Sequence, residues 1–397
     1  MPGSDFLFLV QCSATKSTQR LPAESIYISA LFRKSMDLAR AVPGSRQMIL
    51  SAKHGLLQPS TVIEPYDISL TSLSRMQRAS WAESVIRDLV RRVPPATRIV
   101  MLAGSDYSDP LLRPLRQHFT EVLEPLRQRG IGRRLKWLLA ATNCPIPAIY
   151  LECFYQQISR LIKTQGPTPL WQLSETTLPE RGVYYFFEPS EARWTGQLRV
   201  VRVGTHGVSI NAKSSMRGRL RTHLGTQAGG GSHRSSVFRR HVGDALSNRT
   251  PTLANSSWGL GQTATTSVRS NESLLESEVS KFMRETLVSW VSVSDTPSAS
   301  SDRAYLEQNS ISLLSTVGPT FDPPSPGWLG TASSREAIRL SGLWNVEHAG
   351  DIAVDGSFLS VFEKYVDITL DGKASAGESL APRNWKAARS GQVQLPI

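Results

Sequence analysis

Between Gly182 and His241 the chain reads GVYYFF, RVVRVG, SSMRGRLRTHL and then GGGSHRSSVFRRH. Gly182 to Phe187 and Arg199 to Gly204 alternate or run apolar, and the stretch from Glu188 to Gln197 between them contains Pro, Ser and Gly. This pattern predicts an antiparallel hairpin with a long loop. A helix from about Ser214 to Leu224 follows, with Arg219 and His223 one turn apart on the same face. A guanidinium and an imidazole sharing a face suit a phosphate better than a core, because Arg pairs two phosphoryl oxygens at once as charge develops.

The segment from Lys213 to Arg249 sets Lys213, Arg217, Arg219, Arg221, Arg234, Arg239, Arg240 and Arg249 against the single acid Asp244. His223, His233 and His241 are interleaved with these charges and His206 lies just upstream, which favours a phosphate-tracking surface over an ordinary solvated face. Arg202, Lys213, Arg217, Arg221, Arg234, Arg239 and Arg240 are the candidate contacts to that polyanion. Gly229 to Ser232 predicts a mobile loop before His233 that orders on substrate. Farther on, Ser301 to Ser315 reads as a largely apolar helix interrupted by Glu307 and Asn309. An inward carboxylate beside a basic site is what Mg²⁺ (or Mn²⁺) requires, since such an ion takes one or two protein oxygens and fills its octahedron with water and phosphate. The alternative is that Glu307 is a surface acid or an arginine partner.

The whole-chain balance agrees with an anionic partner: the net charge is +12 over 397 residues. Nucleic acid is the commonest large polyanion a soluble protein meets. Cys12, Cys144 and Cys153 are too few and too odd in number for a disulfide framework, so a reducing, cytoplasmic compartment is expected. The apolar start of the chain is too short for a signal peptide, no run approaches a membrane span, and no membrane partner is expected.

The first half has a different grammar. Phe6 to Gln11, Gln47 to Ser51 and Arg98 to Ala103 are short apolar runs, and helical periodicity falls on Ile26 to Ala41, Ser74 to Arg92 and Ile131 to Ala141. The alternation predicts an α/β domain with a parallel sheet and flanking helices, whose ligands bind beyond the carboxyl ends of the strands. Cys12, Ser13 and Lys16, then Lys53 and His54, then Gly104 to Tyr107 converge there. Lys53 with His54 can hold a phosphate or polarise a carbonyl; the alternative is a set of ordinary strand-to-helix turns. Cys12 reads as a small buried residue rather than a nucleophile.

The series CSATK, LFRKS, ILSAKHGLL, EPYD, Trp81, MLAGSDY and GIGRRLKWL, over about Phe6 to Ala141, resembles the bacterial DUF6884 family. That resemblance implies a compact α/β domain of open activity, distantly similar to uracil-DNA-glycosylase-like folds. If it handles a base or nucleotide, Ser51, Lys53, Glu64, Tyr66, Asp67 and Tyr107 are the groups expected around it, with Ser13, Lys16 and His54 on the rim. EPYD reads equally well as a structural turn.

The second half, about Gly182 to Asn345, resembles the GIY-YIG nuclease superfamily, in particular its restriction-enzyme-like branch. The resemblance implies an α+β domain with a small antiparallel sheet. It makes Tyr184 the phenol that orients or deprotonates water, Arg219 the helix arginine, His223 a second candidate proton carrier, His233 the catalytic histidine of the family's later histidine region, Glu307 the metal-binding glutamate and Asn345 in SGLWNVEH the residue that steadies the site. Arg202, Val203 and Gly204 stand at the second motif, where the family usually has a tyrosine.

The expected organisation is a base- or nucleotide-recognition domain over residues 1–145, a helical linker over 146–176, a nuclease over 177–350 and a loosely packed extension over 351–397. The expected activity is metal-dependent endonucleolytic hydrolysis of DNA, with restriction of foreign or base-modified phage DNA as its use. A homodimer would be needed for palindromic cutting. Two rivals are an inactive DNA-binding module and a nucleobase- or nucleotide-acting first domain anchored to nucleic acid by the second.

Overall fold

A computed structural model of the protein describes residues 5–127, 130–173, 178–226, 228–351, 354–372 and 379–386. The chain divides after Cys153 into two compact units.

The first unit contains strands β1 (Phe6–Gln11), β2 (Leu21–Pro22), β3 (Arg46–Ser51), β4 (Gly55–Leu57), β5 (Val62–Ile63), β6 (Arg98–Leu102) and β7 (Glu121–Leu123). Its helices are α1 (Ala23–Ile26), α2 (Ala30–Arg40), α3 (Arg75–Arg92), α4 (Ser105–His118) and α5 (Ile131–Ala141). The main sheet has the order β4-β3-β1-β6-β7 and is parallel apart from β4, while β2 and β5 form a separate ladder. This is the predicted α/β layout. Phe6 to Val10 are at most 1% exposed, because helices cover both faces and the strand is apolar throughout. The order reverses at β1, so the crevice between β1 and β6 is the topological switch point. Helix α4 was not predicted, since Pro110 and Pro114 lie inside it and argue against helix in sequence.

Helix α6 (Pro145–Gln165) contains the division between the units. Its two prolines, Pro145 and Pro147, occupy the first turn, where no backbone N–H is required. Glu152 is 2% exposed.

The second unit holds strands β8 (Thr168–Pro169), β9 (Gly182–Ala192), β10 (Leu198–Gly204) and β11 (Leu287–Ser292) in the antiparallel order β10-β9-β11-β8. Its helices are α7 (Met216–Leu224), α8 (Val237–Arg249), α9 (Thr266–Glu285), α10 (Asp302–Thr316), α11 (Gly318–Phe321), α12 (Glu336–Ser341) and α13 (Phe358–Leu370). The hairpin is longer than predicted: β9 continues through register irregularities to Ala192, and the turn shrinks to Arg193–Gln197 with Gly196 at φ +82°. One face of the sheet buries Tyr184, Phe186 and Val201 against Met216, Leu220, Phe238 and Val279 of α7, α8 and α9. Tyr185 points the other way, to Ser310 of α10, Phe154 of α6 and Phe362 of α13.

The loose tail expected after residue 350 is not what Phe358–Leu370 form. Helix α13 buries Phe358, Leu359, Val361, Phe362, Tyr365 and Val366, and Asp302 at the start of α10 accepts hydrogen bonds from Tyr365 Oη at 2.5 Å and Leu380 N at 2.6 Å. Apolar residues spaced for one helical face outweigh the surrounding Gly, Ser and Ala content.

Candidate active site

The site grows out of the hairpin register. Tyr184 on β9 lies opposite Gly204 on β10, with Trp290 of β11 on its other side. The phenol occupies the space a side chain at 204 would need: a Cβ there would lie 2.7 Å from Tyr184 Cζ and 2.8 Å from Oη. Gly182 is required for the same reason, since its Cβ would meet Met216 Cε at 2.6 Å and the Val291 carbonyl oxygen closer still.

Behind the phenol, Tyr184 Oη is 3.2 Å from the Thr205 carbonyl, to which it donates, and 3.3 Å from His223 Nε2. His223 Nδ1 is 2.7 Å from Ser236 Oγ at the start of α8. A consistent assignment has His223 Nε2–H donating to the phenol oxygen and Nδ1 accepting from Ser236. Burial first, then Arg202, Arg219 and Arg239, hold the His223 pKa far below that of a free imidazole, so the ring is neutral. Burial raises the Tyr184 pKa against the pull of Arg202 and Arg219.

In front of the phenol is a cavity of about 410 Å³, lined by Tyr184, Arg202, Arg219, Arg240, His241, Glu307, Arg335, Asn345, Glu347 and His348 among others. Arg219 is anchored through Nη1 to the Ser235 carbonyl at 3.0 Å. Glu307 reaches the end of β10, where its Oε1 accepts from Thr205 N at 3.0 Å. Burial pushes its pKa up to about 7, and Glu347 adds to the rise while Arg202 opposes it. Among the described residues no group of three or more His, Cys, Asp or Glu could hold a metal by itself. Two carboxylates in one cavity supply hard oxygen donors and suit an ion that keeps most of its waters and shares substrate phosphate.

The rear wall is a short segment clamped to the edge of β10. Trp344 N donates to Val201 O at 2.8 Å, and Asn345 accepts from Val203 N at 3.0 Å and donates to Val203 O at 2.9 Å. Glu188 takes the indole N–H of both Trp328 and Trp344, at 2.9 and 2.8 Å. Asn345 thus borders the cavity, but its amide is spent on the strand.

Several sequence expectations are corrected by burial and pairing. His223 does not line the cavity; it sits behind Tyr184, with Nε2 on the phenol oxygen. His233 is 1% exposed, with Nδ1 on Glu276 at 3.0 Å, Nε2 accepting from Gly259 N at 3.1 Å and its ring stacked on Trp258, so both ring nitrogens are engaged within the fold. Arg234 is forked onto Glu272 at 2.6 and 2.8 Å. Arg239 is fully buried against Glu276 at 2.5 Å. Each guanidinium is spent on a carboxylate of α9. Arg217 donates to the Leu173 carbonyl at 3.2 Å, whereas Lys213 and Arg221 are exposed. The glycine loop expected to be mobile is held down, with Thr226 N bonding Gly230 O at 2.7 Å and the Arg239 guanidinium against Gly231. Sequence reasoning missed Arg335, Glu347 and His348 as cavity residues; Glu347 and His348 directly follow Asn345, and that adjacency was the available signal.

In the first unit the rim gathers around Tyr66. Its hydroxyl is 2.8 Å from both Tyr27 Oη and Ser51 Oγ, Lys16 Nζ and Lys53 Nζ lie 4.2 and 5.6 Å from the ring centroid, and His54 meets the ring edge-on. Tyr107 pairs with Cys12 Sγ at 3.3 Å, and burial raises its pKa. Ser13 turns back to the Thr15 carbonyl, Glu64 pairs with Arg20 on the surface at 3.4 Å, and Asp67 is exposed.

A family model described as the GIY-YIG domain matches residues 148–371, more than half of the chain, and one described as a family of unknown function, DUF6884, matches residues 7–140. No curated protein and no solved structure matches the chain. Among the described residues no helix is long and apolar enough to cross a membrane.

Two predictions come from this geometry. Gly204→Ala pushes the phenol off its seat and is expected to lower any activity of this cavity about 100-fold, in line with the sensitivity of catalysis to 1 Å displacements; unchanged activity in a folded variant would show that the Tyr184 position is unimportant. His206 and His241 are both held down to about 4, mainly by burial and then by neighbouring arginines. A histidine with a lowered folded pKa contributes stability that is present above about pH 6.5 and lost on acidification. Thermal melts of the parent are therefore expected to fall between pH 6.5 and 4, and His241→Gln to show a smaller fall; parallel curves for the two would contradict the assignment.

Proposed function

Because the chain belongs to the GIY-YIG domain family, and with it to a nuclease superfamily, we propose that it is a metal-dependent endonuclease hydrolysing the phosphodiester bonds of DNA. The observation that carries this reading is that one cavity is lined by a phenol, two guanidiniums and a half-buried carboxylate, from Tyr184, Arg202, Arg219 and Glu307.

In this reading Tyr184 donates a hydrogen bond to the Thr205 carbonyl and accepts one from His223 Nε2–H, which leaves a lone pair to orient the attacking water. His223 is a positioning residue: its depressed basicity suits it to holding the phenol and not to carrying a proton. Arg219 neutralises charge on the non-bridging oxygens as phosphorus becomes pentavalent. Glu307, with Glu347 beside it, would hold Mg²⁺ or Mn²⁺, and when bound such an ion supplies Lewis-acid charge to the phosphate and the leaving 3′ oxygen. Exposed Lys213 and Arg221, with Arg240 at the cavity, track the backbone of the duplex. The cluster of Tyr66, Ser51, Lys16 and Lys53 in the first unit is the candidate reader of a base or nucleotide, which would direct cutting to foreign or modified DNA in a bacterial defence role.

The test is nicking of supercoiled plasmid and of base-modified phage DNA with Mg²⁺ or with EDTA. Cleavage that needs the metal and drops about 100- to 1,000-fold in folded Glu307→Ala and Arg219→Ala proteins is the expected result. Equal cutting by parent and variants would sink the assignment.

A further inference from the structure

Arg202 is a charge in the cavity whose hydrogen-bonding capacity is largely unused. It lies on β10 two positions before Gly204 and lines the same cavity as Tyr184, Arg219 and Glu307. Two other arginines of this hairpin have dedicated carboxylates: Arg193 meets Asp322 at 2.7 Å and Arg199 meets Glu191 at 2.6 Å. Arg202 has no such partner among the described residues. A guanidinium carries five N–H donors in a rigid fork. Of these, Arg202 uses Nη1 on the Trp344 carbonyl at 2.7 Å, and its Nε is buried with no acceptor. The plane is fixed as well as underused, since the guanidinium carbon sits 5.0 Å from the Phe238 ring centroid while the Trp344 carbonyl holds the other end.

A desolvated cation with unused donors is costly unless something anionic meets it. The neighbouring carboxylates, Glu307 and Glu347, attract it without pairing with it among the described residues: Glu307 is engaged with Thr205 N, and Arg219 repels. Because Arg202 is recessed, only a phosphate that enters the cavity reaches it, unlike the exposed Lys213 and Arg221, which any passing backbone can touch. The segment that anchors it, Trp344–Asn345, is the one locked to β10 by Glu188 and the Val203 peptide, so the guanidinium cannot relax away.

We propose that Arg202 is a catalytic residue, forming with Arg219 a two-guanidinium clamp on the non-bridging oxygens of the scissile phosphate. It rests on the nuclease reading above. In the step it serves, the water oxygen forms a bond to phosphorus and loses a proton to solvent, the bond from phosphorus to the 3′ oxygen breaks and that oxygen takes up a proton from solvent, and Arg202 keeps all its protons while its donors shorten onto the equatorial oxygens. A charged fork at the second-motif position thereby replaces a neutral hydroxyl donor with one that strengthens as negative charge accumulates.

The experiment compares parent, Arg202→Gln, Arg202→Lys and Arg202→Ala proteins in single-turnover cleavage at saturating protein, with DNA affinity measured by anisotropy in Ca²⁺ and folding checked by thermal melts. Expected are a rate loss of about 100- to 1,000-fold in Arg202→Gln, a Kd within about threefold of the parent, a partial rate in Arg202→Lys, and partial rescue of Arg202→Ala by guanidinium ion. A parent-like saturated rate with weakened binding would make Arg202 a binding residue and overturn the proposal. Should Arg202→Gln melt below the assay temperature, Arg202→Lys, which keeps the charge and loses the fork, is read by the same criteria. A parent that never cuts would overturn the nuclease reading itself, which is a different outcome from an active parent matched by its Arg202 variants.

Discussion

The packing of the Tyr184 ring onto the backbone of Gly204 is the contact on which the rest of the second unit's site depends. Because residue 204 has no Cβ, the phenol lies flat on the end of β10, where its oxygen reaches the Thr205 carbonyl and His223 together. The same strand end offers Thr205 N to Glu307 and, two residues earlier, projects Arg202 into the cavity. A displacement at this single contact therefore moves the groups that would meet water, phosphate and metal together.

Around it, the molecule fixes charge with charge. Glu276 of α9 takes both the His233 backbone N–H and its imidazole, and also the Arg239 guanidinium; Glu272, one turn earlier, takes the Arg234 fork. Such buried pairs contribute less to net stability than to a defined arrangement, since removing one partner leaves the other desolvated. Here they tie the glycine loop and the start of α8 to α9. That connection holds Ser236, and through it His223, at the back of the phenol.

This explains which parts of the site were legible in the sequence. Tyr184, Gly204 and Arg219 stand in local patterns, a strand end and a helix face, that survive folding unchanged. The apolar runs that became β1, β3 and β6 were legible for the same reason. The basic run from Lys213 to Arg249 was misleading because its neutralising acids, Glu272 and Glu276, lie far along the chain, and a linear charge count cannot see a partner brought in by the fold. Asn345 was found, but its amide turned out to extend the β10 edge. Helix α4 was hidden by its prolines and α13 by the composition around it. Arg202 reads in the sequence as a basic residue at the second motif; its lack of a paired carboxylate among the described residues, visible in three dimensions, distinguishes it from Arg193 and Arg199.

The central claim is that this cavity hydrolyses a phosphodiester with departure of the 3′ oxygen. Cleavage of a defined duplex in ¹⁸O-labelled water, followed by mass analysis of the new ends, tests it most directly. The account predicts one ¹⁸O in a 5′-phosphate and an unlabelled 3′-hydroxyl. Label at a 3′-phosphate, or new ends that carry no label, would contradict it.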